Sequence, residues 1–364
     1  MRAAVPPPGE ARPDWGIAND FASRLQARLG KPISFGYQTA EAIFDEHRES
    51  TRGRDLDITG LSYAVLEREG PQQWPYPEGA KGGRARLYCD GVFATPSGRA
   101  RFVATQYAPP AEVPDSDYPL RLTTGRLRDQ WHGMTRTGLV ARLFSHSPEP
   151  EIALNEADLR NCGIASGGLA RVSTRRGRVV LRARACGDMR PGDAFVAMHW
   201  GSRFMGGAGI NALTLPAIDP HSKQPELKHA AARVERFAAR WRGRFVASAR
   251  PGLERRAGAW LPRFDYAALS LVEGAEVSLR LDLASAQEAD TVALAALEEL
   301  FGGPAETTPE ALDRAICACF KVAESELRSA IAGGATLAKL QKDLKCGTNC
   351  GSCVPELRRL LSAA

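Results

Sequence analysis

The chain has 364 residues, of which 44% are hydrophobic and 25% are charged, and its net charge is +6. This is the balance of an ordinary globular protein, and the length predicts two or three domains. The positive charge comes from dispersed arginines rather than basic blocks interleaved with aromatic residues, which argues against nucleic-acid binding. The start lacks the apolar core of a signal peptide, and the longest apolar run, near 292–297, is too short to span a bilayer. With eight cysteines, this favours a cytoplasmic protein holding reduced thiols, metal or clusters.

The first segment, residues 1–112, combines helical patterns with stretches rich in proline and glycine. Apolar residues four apart predict a helix over 19–29, and a second helix is expected at 40–47. From 55 to 83 the pattern loosens. The segment is too irregular, and its core too small, for a complete domain, so we expect an incomplete α/β segment, the end of something larger.

Residues 117–240 are dominated by short strand patterns separated by glycine turns. Residues 120–126 form a strand pattern that breaks at a glycine, and 170–184 alternates apolar and polar residues around a turn, as a hairpin does. Further strands are expected at 195–198 and 231–234. Short strands with few helices predict a β-barrel rather than a βαβ sheet.

Residues 241–312 carry the weakest pattern of the chain. A strand is expected at 277–283 and an amphipathic helix at 289–301. A break follows at Pro304–Pro309. We therefore interpret 241–312 as a variable linker region.

Residues 313–364 predict a small helical unit. One helix is expected from Glu324 and is stopped by two glycines, Thr336 is placed to cap a second, and Pro355 can begin a third. A unit of about 50 residues has too little core to be comfortable alone, so a metal or cluster would add needed stability.

Four cysteines of this unit form two close pairs, a C-x-C and a C-x-x-C, at Cys317, Cys319, Cys350 and Cys353. Four thiolates suit a [2Fe–2S] cluster, in which each close pair can serve one iron, and they also suit structural zinc. A C-x-C pair is less usual for zinc, so the spacing favours the cluster, with unliganded thiols a distant third. Glycines flank the second pair and would let backbone N–H groups approach the sulfurs.

The sequences around both pairs, ICACFKV at 316–322 and GTNCGSCVPEL at 347–357, closely resemble the bacterioferritin-associated ferredoxin-like (BFD-like) [2Fe–2S] domain. The resemblance covers 313–364 and implies a helical fold. Cys346 has no place in the motif and is interpreted as an ordinary thiol beside the site. The resemblance implies as cluster ligands the four paired residues, Cys317, Cys319, Cys350 and Cys353.

The barrel region carries several residues suited to a large cofactor. Gly125 at a strand end would let a ligand meet the backbone, Arg126 can pair with a phosphate, and Trp131 can stack on a planar ring. Asn211 offers a donor and an acceptor to a purine or pterin edge, and Lys228 offers a charge to phosphate. Each of these would be an ordinary surface residue if it stood alone.

In this order the segments TTGR…QWH, NALT and DPHSKQPELK resemble the molybdopterin-dinucleotide-binding domain of the molybdopterin oxidoreductases, over 117–235. The resemblance implies a double-psi β-barrel whose loops cover the pterin dinucleotides, with Phe204 near the substrate funnel. His132 and His199 are not interpreted as metal ligands. Gly133 stands where relatives often have a hydroxyl residue, so one hydrogen bond is expected to be absent. The implied cofactor contacts are Thr124, Gly125, Arg126, Gln130, Trp131, His132, Gly133, Asn211 and Lys228.

Barrel and cluster domain in tandem most resemble the prokaryotic assimilatory nitrate reductase catalytic subunit, as do segments 8–15 and 93–102. The resemblance implies an enzyme that reduces nitrate to nitrite with molybdenum bis(molybdopterin guanine dinucleotide). The cluster would relay electrons from a cytoplasmic donor such as a ferredoxin, a flavodoxin or an NADH-dependent reductase subunit. The cofactor would supply the chemistry and the protein its placement.

The chain departs from that family in one large respect. The family's N-terminal [4Fe–4S] motif and molybdenum-ligating cysteine have no counterpart, because Cys89, Cys162 and Cys186 are isolated and are interpreted as incidental thiols. We therefore expect 1–112 to be a remnant of the catalytic region, from a truncated gene, a split enzyme or a partial sequence. No catalytic residue is assigned, the pterin site would be partial, and the chain alone should not reduce nitrate.

Two other functions stay open. The chain could be a non-catalytic electron-transfer or cofactor-binding module for a separate partner chain, possibly the missing N-terminal part. It could also be a related molybdoenzyme such as a formate dehydrogenase, because the barrel is shared and the substrate pocket lies mostly upstream.

Overall fold

The computed structural model describes residues 5–306 and 315–362, and the chain divides into two units between Tyr107 and Ala108. The first unit contains two of the predicted helices, and Thr39 and Ser62 cap the second and third by accepting backbone N–H groups. Over residues 5–107 the structure has no strand, so the α/β character expected there is not found. The helices are α1 (Asp14–Arg28), α2 (Ala40–Ser50) and α3 (Tyr63–Glu69).

The second unit begins with a closed barrel whose strands follow the order β1-β5-β2-β4-β3-β6. Two pairs, β1 with β5 and β2 with β4, are parallel, and the other neighbours are antiparallel. This confirms the predicted barrel and the predicted β3–β4 hairpin. The strands are β1 (Leu120–Gly125), β2 (Glu151–Leu154), β3 (Leu169–Ser173), β4 (Arg178–Ala185), β5 (Asp193–Ala197) and β6 (Ala230–Arg236).

The barrel closes because one face of each strand carries apolar side chains. Leu122, Ile152, Leu181 and Val196 are at most 1% exposed and pack into one core. Two short helices connect the strands, α4 (Ala141–Phe144) and α5 (Glu156–Asn161). The loop after β1 and the loops after β5 are left at the barrel surface, where a ligand can reach their backbone.

Residues 241–306 form a second layer rather than the linker expected for 241–312. An antiparallel sheet in the order β7-β9-β8 packs with two helices around its own core, which includes Phe245, Leu281 and Leu297. Of the break predicted at Pro304–Pro309, residues 307–309 lie outside the described residues. The elements are β7 (Trp241–Ser248), α6 (Leu253–Gly258), β8 (Tyr266–Glu273), β9 (Val277–Ser285) and α7 (Thr291–Phe301).

A buried polar cluster of Glu149, Arg182 and Tyr266 joins the barrel to the sheet. The Glu149 carboxylate lies 2.7 Å from Arg182 Nε, an ion pair without hydrogen-bond geometry, and accepts a 2.5 Å hydrogen bond from the Tyr266 hydroxyl. Arg182 Nη1 donates to the Gly167 carbonyl at 2.8 Å. Glu149 and Tyr266 are both 2% exposed, so water could not easily replace a hydrogen-bond partner that either residue lost.

The C-terminal unit contains the three predicted helices and a small hairpin that the sequence did not predict. Thr336 caps the second helix by accepting the Lys339 N–H at 3.4 Å, and Gly334, at φ +81°, follows the first. Among the described helices of the chain, none is long and apolar enough to cross a membrane. The elements are β10 (Ala315–Cys317), β11 (Val322–Ala323), α8 (Glu324–Ala332), α9 (Leu337–Asp343) and α10 (Val354–Ser362).

Candidate cofactor cavity and cluster site

A cavity of about 310 Å³ opens where β1 and β5 end. Strand β1 and the loop after it form one wall, and the segments 198–201 and 208–211 form another. The fold thus brings together residues that lie about 100 positions apart in the chain. Five of the predicted cofactor contacts line this cavity: Thr124, His132, Gly133, Asn211 and Lys228.

His199 holds the loop after β1 in place. Its Nε2 accepts the Leu127 N–H at 2.9 Å, and its Nδ1 lies 2.6 Å from the His132 carbonyl, to which it donates. Both ring nitrogens are therefore used by the loop backbone in a side chain that is 1% exposed. Burial lowers the pKa of His199, with a smaller contribution of the same sign from the charge of Arg126. The histidine is a neutral structural group, a role that no local sequence pattern indicated.

Two more predicted contacts, Arg126 and Trp131, stand on the outer side of the same loop. The guanidinium carbon of Arg126 lies 5.1 Å from the Trp131 ring centroid, and Trp131 is 56% exposed. Gln130 points inward instead. Its Nε2 donates to the Leu143 carbonyl at 2.8 Å, and its Oε1 is buried without a hydrogen-bond partner among the described residues.

Glycines shape the cavity wall. Gly209 has φ +79°, and a Cβ there would lie 2.9 Å from Gly201 Cα, so only glycine fits without displacing the backbone. A Cβ on Gly125 would lie 2.8 Å from the Phe195 ring, whereas one on Gly133 would meet open space. The indole N–H of Trp200, another lining residue, is buried without an acceptor among the described residues.

These features fit a large phosphorylated heterocycle. Arg126 and Lys228 supply positive charge, Asn211 supplies a donor and an acceptor, and the bare backbone at Gly133 allows close approach. The buried indole N–H and the Gln130 Oε1 offer hydrogen-bonding groups that the described protein leaves unused. The individual contacts remain predictions.

Phe204, predicted near the substrate funnel, does not line this cavity. Its ring is 3% exposed, packs on Phe144 at a centroid distance of 5.9 Å, and lies close to Gly138. It lines a separate cavity of about 390 Å³ between the barrel and the β7-β9-β8 sheet. Its role toward a substrate also stays a prediction.

The buried neutral His199 predicts a pH dependence of stability. Because its folded pKa lies below that of the unfolded chain, near 6.5, stability is complete above pH 6.5 and falls as the pH drops toward the folded value. The loss is up to about 1.4 kcal/mol per pH unit in that window. Urea unfolding at pH 7.5 and 5.5 should show this loss in the wild type and a smaller one in His199→Gln. Equal losses in both chains would contradict it.

The hairpin β10–β11 and the loop before α10 bring the four predicted cluster ligands together. The sulfurs of Cys319 and Cys350 are 3.3 Å apart, and Cys317 shares a hydrogen bond with Cys353. Cys317 and Cys353 are 2% exposed, whereas Cys350 is exposed. The four-cysteine site is thus buried on the side of Cys317 and Cys353 and open on the side of Cys350. No three His, Cys, Asp or Glu side chains of 5–306 and 315–362 converge as ligands of one metal ion.

The two sides differ in electrostatics. Hydrogen bonds from the Ser352 hydroxyl, at 2.8 Å, and the Ser352 N–H lower the pKa of Cys350 to about 7. Burial raises the pKa of Cys353 to about 11, although the Gly347 N–H opposes this by donating to its sulfur. Gly347 has φ +75°, and a Cβ there would lie 2.6 Å from Val354 Cγ2. Glycine at 347 thus permits the amide–sulfur contact expected from the sequence.

Cys346 is fully buried against the four-cysteine site. Its thiol hydrogen-bonds with Cys317, and burial, together with the nearby Cys317 and Cys353, raises its pKa to about 12. It is therefore a thiol beside the site, packed in the same core as the ligands.

Comparison with known proteins supports both sites. Residues 120–231 match the family model described as "Molydopterin dinucleotide binding domain", and 315–363 match "BFD-like [2Fe-2S] binding domain". The first match covers strands β1 to β5 and the start of β6, and the second covers all four paired cysteines. The cluster is thereby favoured over zinc, and the domains hold a molybdenum cofactor and a [2Fe–2S] cluster.

Curated relatives extend the likeness to the whole chain. A protein named nitrate reductase from Klebsiella oxytoca is 33% identical over 423 residues, covering 100% of this chain and 47% of that protein. The "Assimilatory nitrate reductase catalytic subunit" of Bacillus subtilis is 35% identical over 64% of this chain and 32% of its own length. The "F420-dependent formate dehydrogenase subunit alpha" of Methanocaldococcus jannaschii is 36% identical over 65% of this chain and 33% of its own length.

The chain spans half or less of the length of these relatives. The matched domains, the closed barrel with its cavity and the grouped thiols agree with one another. The chain therefore contains a molybdopterin-dinucleotide-binding domain and a BFD-like [2Fe–2S] domain, and over its whole length it is similar to part of a protein named nitrate reductase.

Proposed function

We propose that the chain serves an assimilatory nitrate reductase, in which its barrel holds part of the pterin dinucleotide cofactor and its cluster relays electrons. The main support is the alignment of the whole chain with a protein named nitrate reductase. The cavity at the end of β1 can hold the cofactor, and the open side of the four-cysteine site gives electrons an entry.

The residues of the chain have distinct roles in this proposal. Arg126 and Lys228 neutralise phosphate charge, Asn211 recognises a heterocycle edge, and His199 keeps the loop between Leu127 and His132 in its binding conformation. The molybdenum cofactor, when bound, supplies the two-electron chemistry that converts nitrate to nitrite. The exposed Cys350 side faces a cytoplasmic electron donor.

The direction of electron flow tests this proposal against the formate dehydrogenase alternative. The chain would be tagged in its own gene and purified anaerobically with the proteins it binds. Nitrate should reoxidise a dithionite-reduced cluster, followed as loss of its EPR signal. Reduction of the oxidised cluster by formate would instead support a formate dehydrogenase, to which the Methanocaldococcus relative points.

The purified chain alone should not reduce nitrate, even after reconstitution with cluster and molybdenum cofactor. The reason is that Cys89, Cys162 and Cys186 are isolated and offer no second cluster motif. The assay is nitrite formation with reduced viologen as the electron source. Nitrite formed by the isolated chain would refute this expectation, and activity only with an added partner would support a split enzyme.

A further inference from the structure

The cluster domain is fixed to the barrel next to the loop that lines the cofactor cavity. The Ala315 N–H donates to the Ser145 carbonyl at 2.8 Å, so the hairpin carrying Cys317 is joined to the end of α4. One residue further along both segments, His146 Nε2 lies 3.1 Å from the Ile316 carbonyl. Since a carbonyl only accepts hydrogen bonds, Nε2 is the donor.

The other ring nitrogen of His146, Nδ1, contacts the loop that lines the cofactor cavity. Its partner there is the Asp129 carboxylate, and the Arg128 guanidinium contacts both ring nitrogens. Both side chains of the Asp129–His146 pair are 19% exposed. Burial alone would raise the pKa of Asp129, but the contacts with His146 and Arg128 outweigh it and the pKa is lowered.

Arg128 and Asp129 belong to the loop after β1, whose residues His132 and Gly133 line the cofactor cavity, and which we call the cavity loop. His199 fixes this loop on one side through Leu127 and His132. His146 fixes it on the other side, through Asp129. The short segment between these attachments is therefore linked directly to His199 in the cavity wall and, through His146, to the backbone beside Cys317.

Arg128 also brings a positive charge close to the predicted cluster ligands. Its guanidinium contacts the His146 ring, whose Nε2 lies 3.1 Å from the carbonyl of Ile316, the residue before Cys317. A reduced [2Fe–2S] cluster carries one more negative charge than the oxidised cluster. A nearby cation therefore stabilises the reduced form and raises the reduction potential.

We propose that His146 is a positioning residue that fixes the β10–β11 hairpin, which carries Cys317, to the cavity loop. We also propose that Arg128 of this loop tunes the reduction potential of the cluster. The proposal rests on the cluster assignment and not on the identity of the substrate. His146 and Arg128 are distinct from the thiolate ligands and act on them through hydrogen bonding and charge. A loop that contacts both sites would also hold the two cofactors in a fixed relative position.

The test uses the full chain after anaerobic reconstitution of its cluster. His146→Gln should retain about two irons per chain but lose them to a chelator about tenfold faster than the wild type, as loss of a group that orients ligands does. His229→Gln is the matched control, because His229 Nε2 also contacts a backbone carbonyl, that of Glu112 at 2.6 Å, but in the barrel. Equal chelation rates in His146→Gln and the wild type would overturn the positioning role.

The second measurement is the reduction potential, followed by EPR. Arg128→Gln should lower the ratio of reduced to oxidised cluster at a fixed potential about tenfold, which is about 59 mV for a one-electron couple. Arg136→Gln, an exposed arginine of the same region, should leave the ratio unchanged. An unchanged ratio in Arg128→Gln, or an equal change in Arg136→Gln, would overturn the tuning role.

Asp129→Asn removes the contact from the barrel side and should by itself speed the loss of iron to the chelator, so it tests the positioning role if His146→Gln fails to fold; a wild-type rate would then overturn that role. Where both variants fold, their effects should not add, because both break the same link. Full additivity would contradict the proposal. These measurements need no nitrate, so they are independent of the reaction proposed above.

Discussion

Cys350→Ser should reduce the iron bound after anaerobic reconstitution from about two atoms per chain to near zero. Cys350 is exposed and has its sulfur 3.3 Å from that of Cys319. Its replacement therefore removes a ligand with little disturbance of the core. Iron and zinc analysis, absorbance and EPR of the reduced protein are the measurements. One zinc per wild-type chain, with no iron, would refute the cluster assignment.

Two cysteine variants serve as controls. Cys89→Ser changes an exposed, isolated thiol and should leave the iron content unchanged. Cys346→Ala removes the buried thiol beside Cys317 and should retain the iron, although the small cavity it creates should lower stability. Loss of iron in Cys346→Ala, with the fold intact by circular dichroism, would make Cys346 part of the ligand set.

Glu149→Ala should lower the free energy of unfolding by about 3–5 kcal/mol. The substitution leaves the Arg182 guanidinium, whose side chain is 9% exposed, without its carboxylate partner. It also removes the acceptor of the Tyr266 hydroxyl, across the contact between barrel and sheet. A buried charge without a partner costs more than the pair itself contributes, which explains the size of the effect. The urea midpoint of unfolding measures it.

A surface ion pair provides the comparison. Glu288 lies 2.8 Å from Arg240 with its side chain 81% exposed, so Glu288→Ala should cost less than about 1 kcal/mol. Tyr266→Phe, which removes only the hydroxyl, should fall between the two at about 1.5–3 kcal/mol. Similar losses in Glu149→Ala and Glu288→Ala would show that the buried cluster does not stabilise the contact between barrel and sheet.

Local patterns predicted much of the fold. The glycine-ended strand at 120–126, the alternation over 170–184 and the Thr336 cap depend on neighbouring residues, and the structure contains all three features. Of the sheet over 241–285, only β9 was predicted, as a strand at 277–283, and β7 and β8 were missed. Strand β8 is mostly apolar, which fits a buried strand or a short buried helix equally well, and its identity depends on the neighbouring β9.

The cofactor cavity and the cluster site show the same division between residues that local patterns identify and contacts that they do not. The sequence motifs identified the four thiols and the residues around the cavity, since residue type and spacing express what a cluster or a dinucleotide requires. They did not identify the links between these sites. His146 and Asp129 are 17 residues apart, and His146 meets Ile316 across 170 positions, so no local pattern marks them.

The sequence by itself determined the chemistry of this protein, because thiolate pairs, glycine-ended strands and helix caps depend on residues close together in the chain. Only the tertiary structure decided which of these residues meet. Closure of the barrel brings Thr124 and Asn211 to one cavity, and the neutral His199 fixes the loop after β1. Docking of the β10–β11 hairpin puts Ile316, next to Cys317, against His146, which contacts Asp129 of that loop. These contacts follow from burying distant apolar surfaces together, which selects partners by fit and not by spacing.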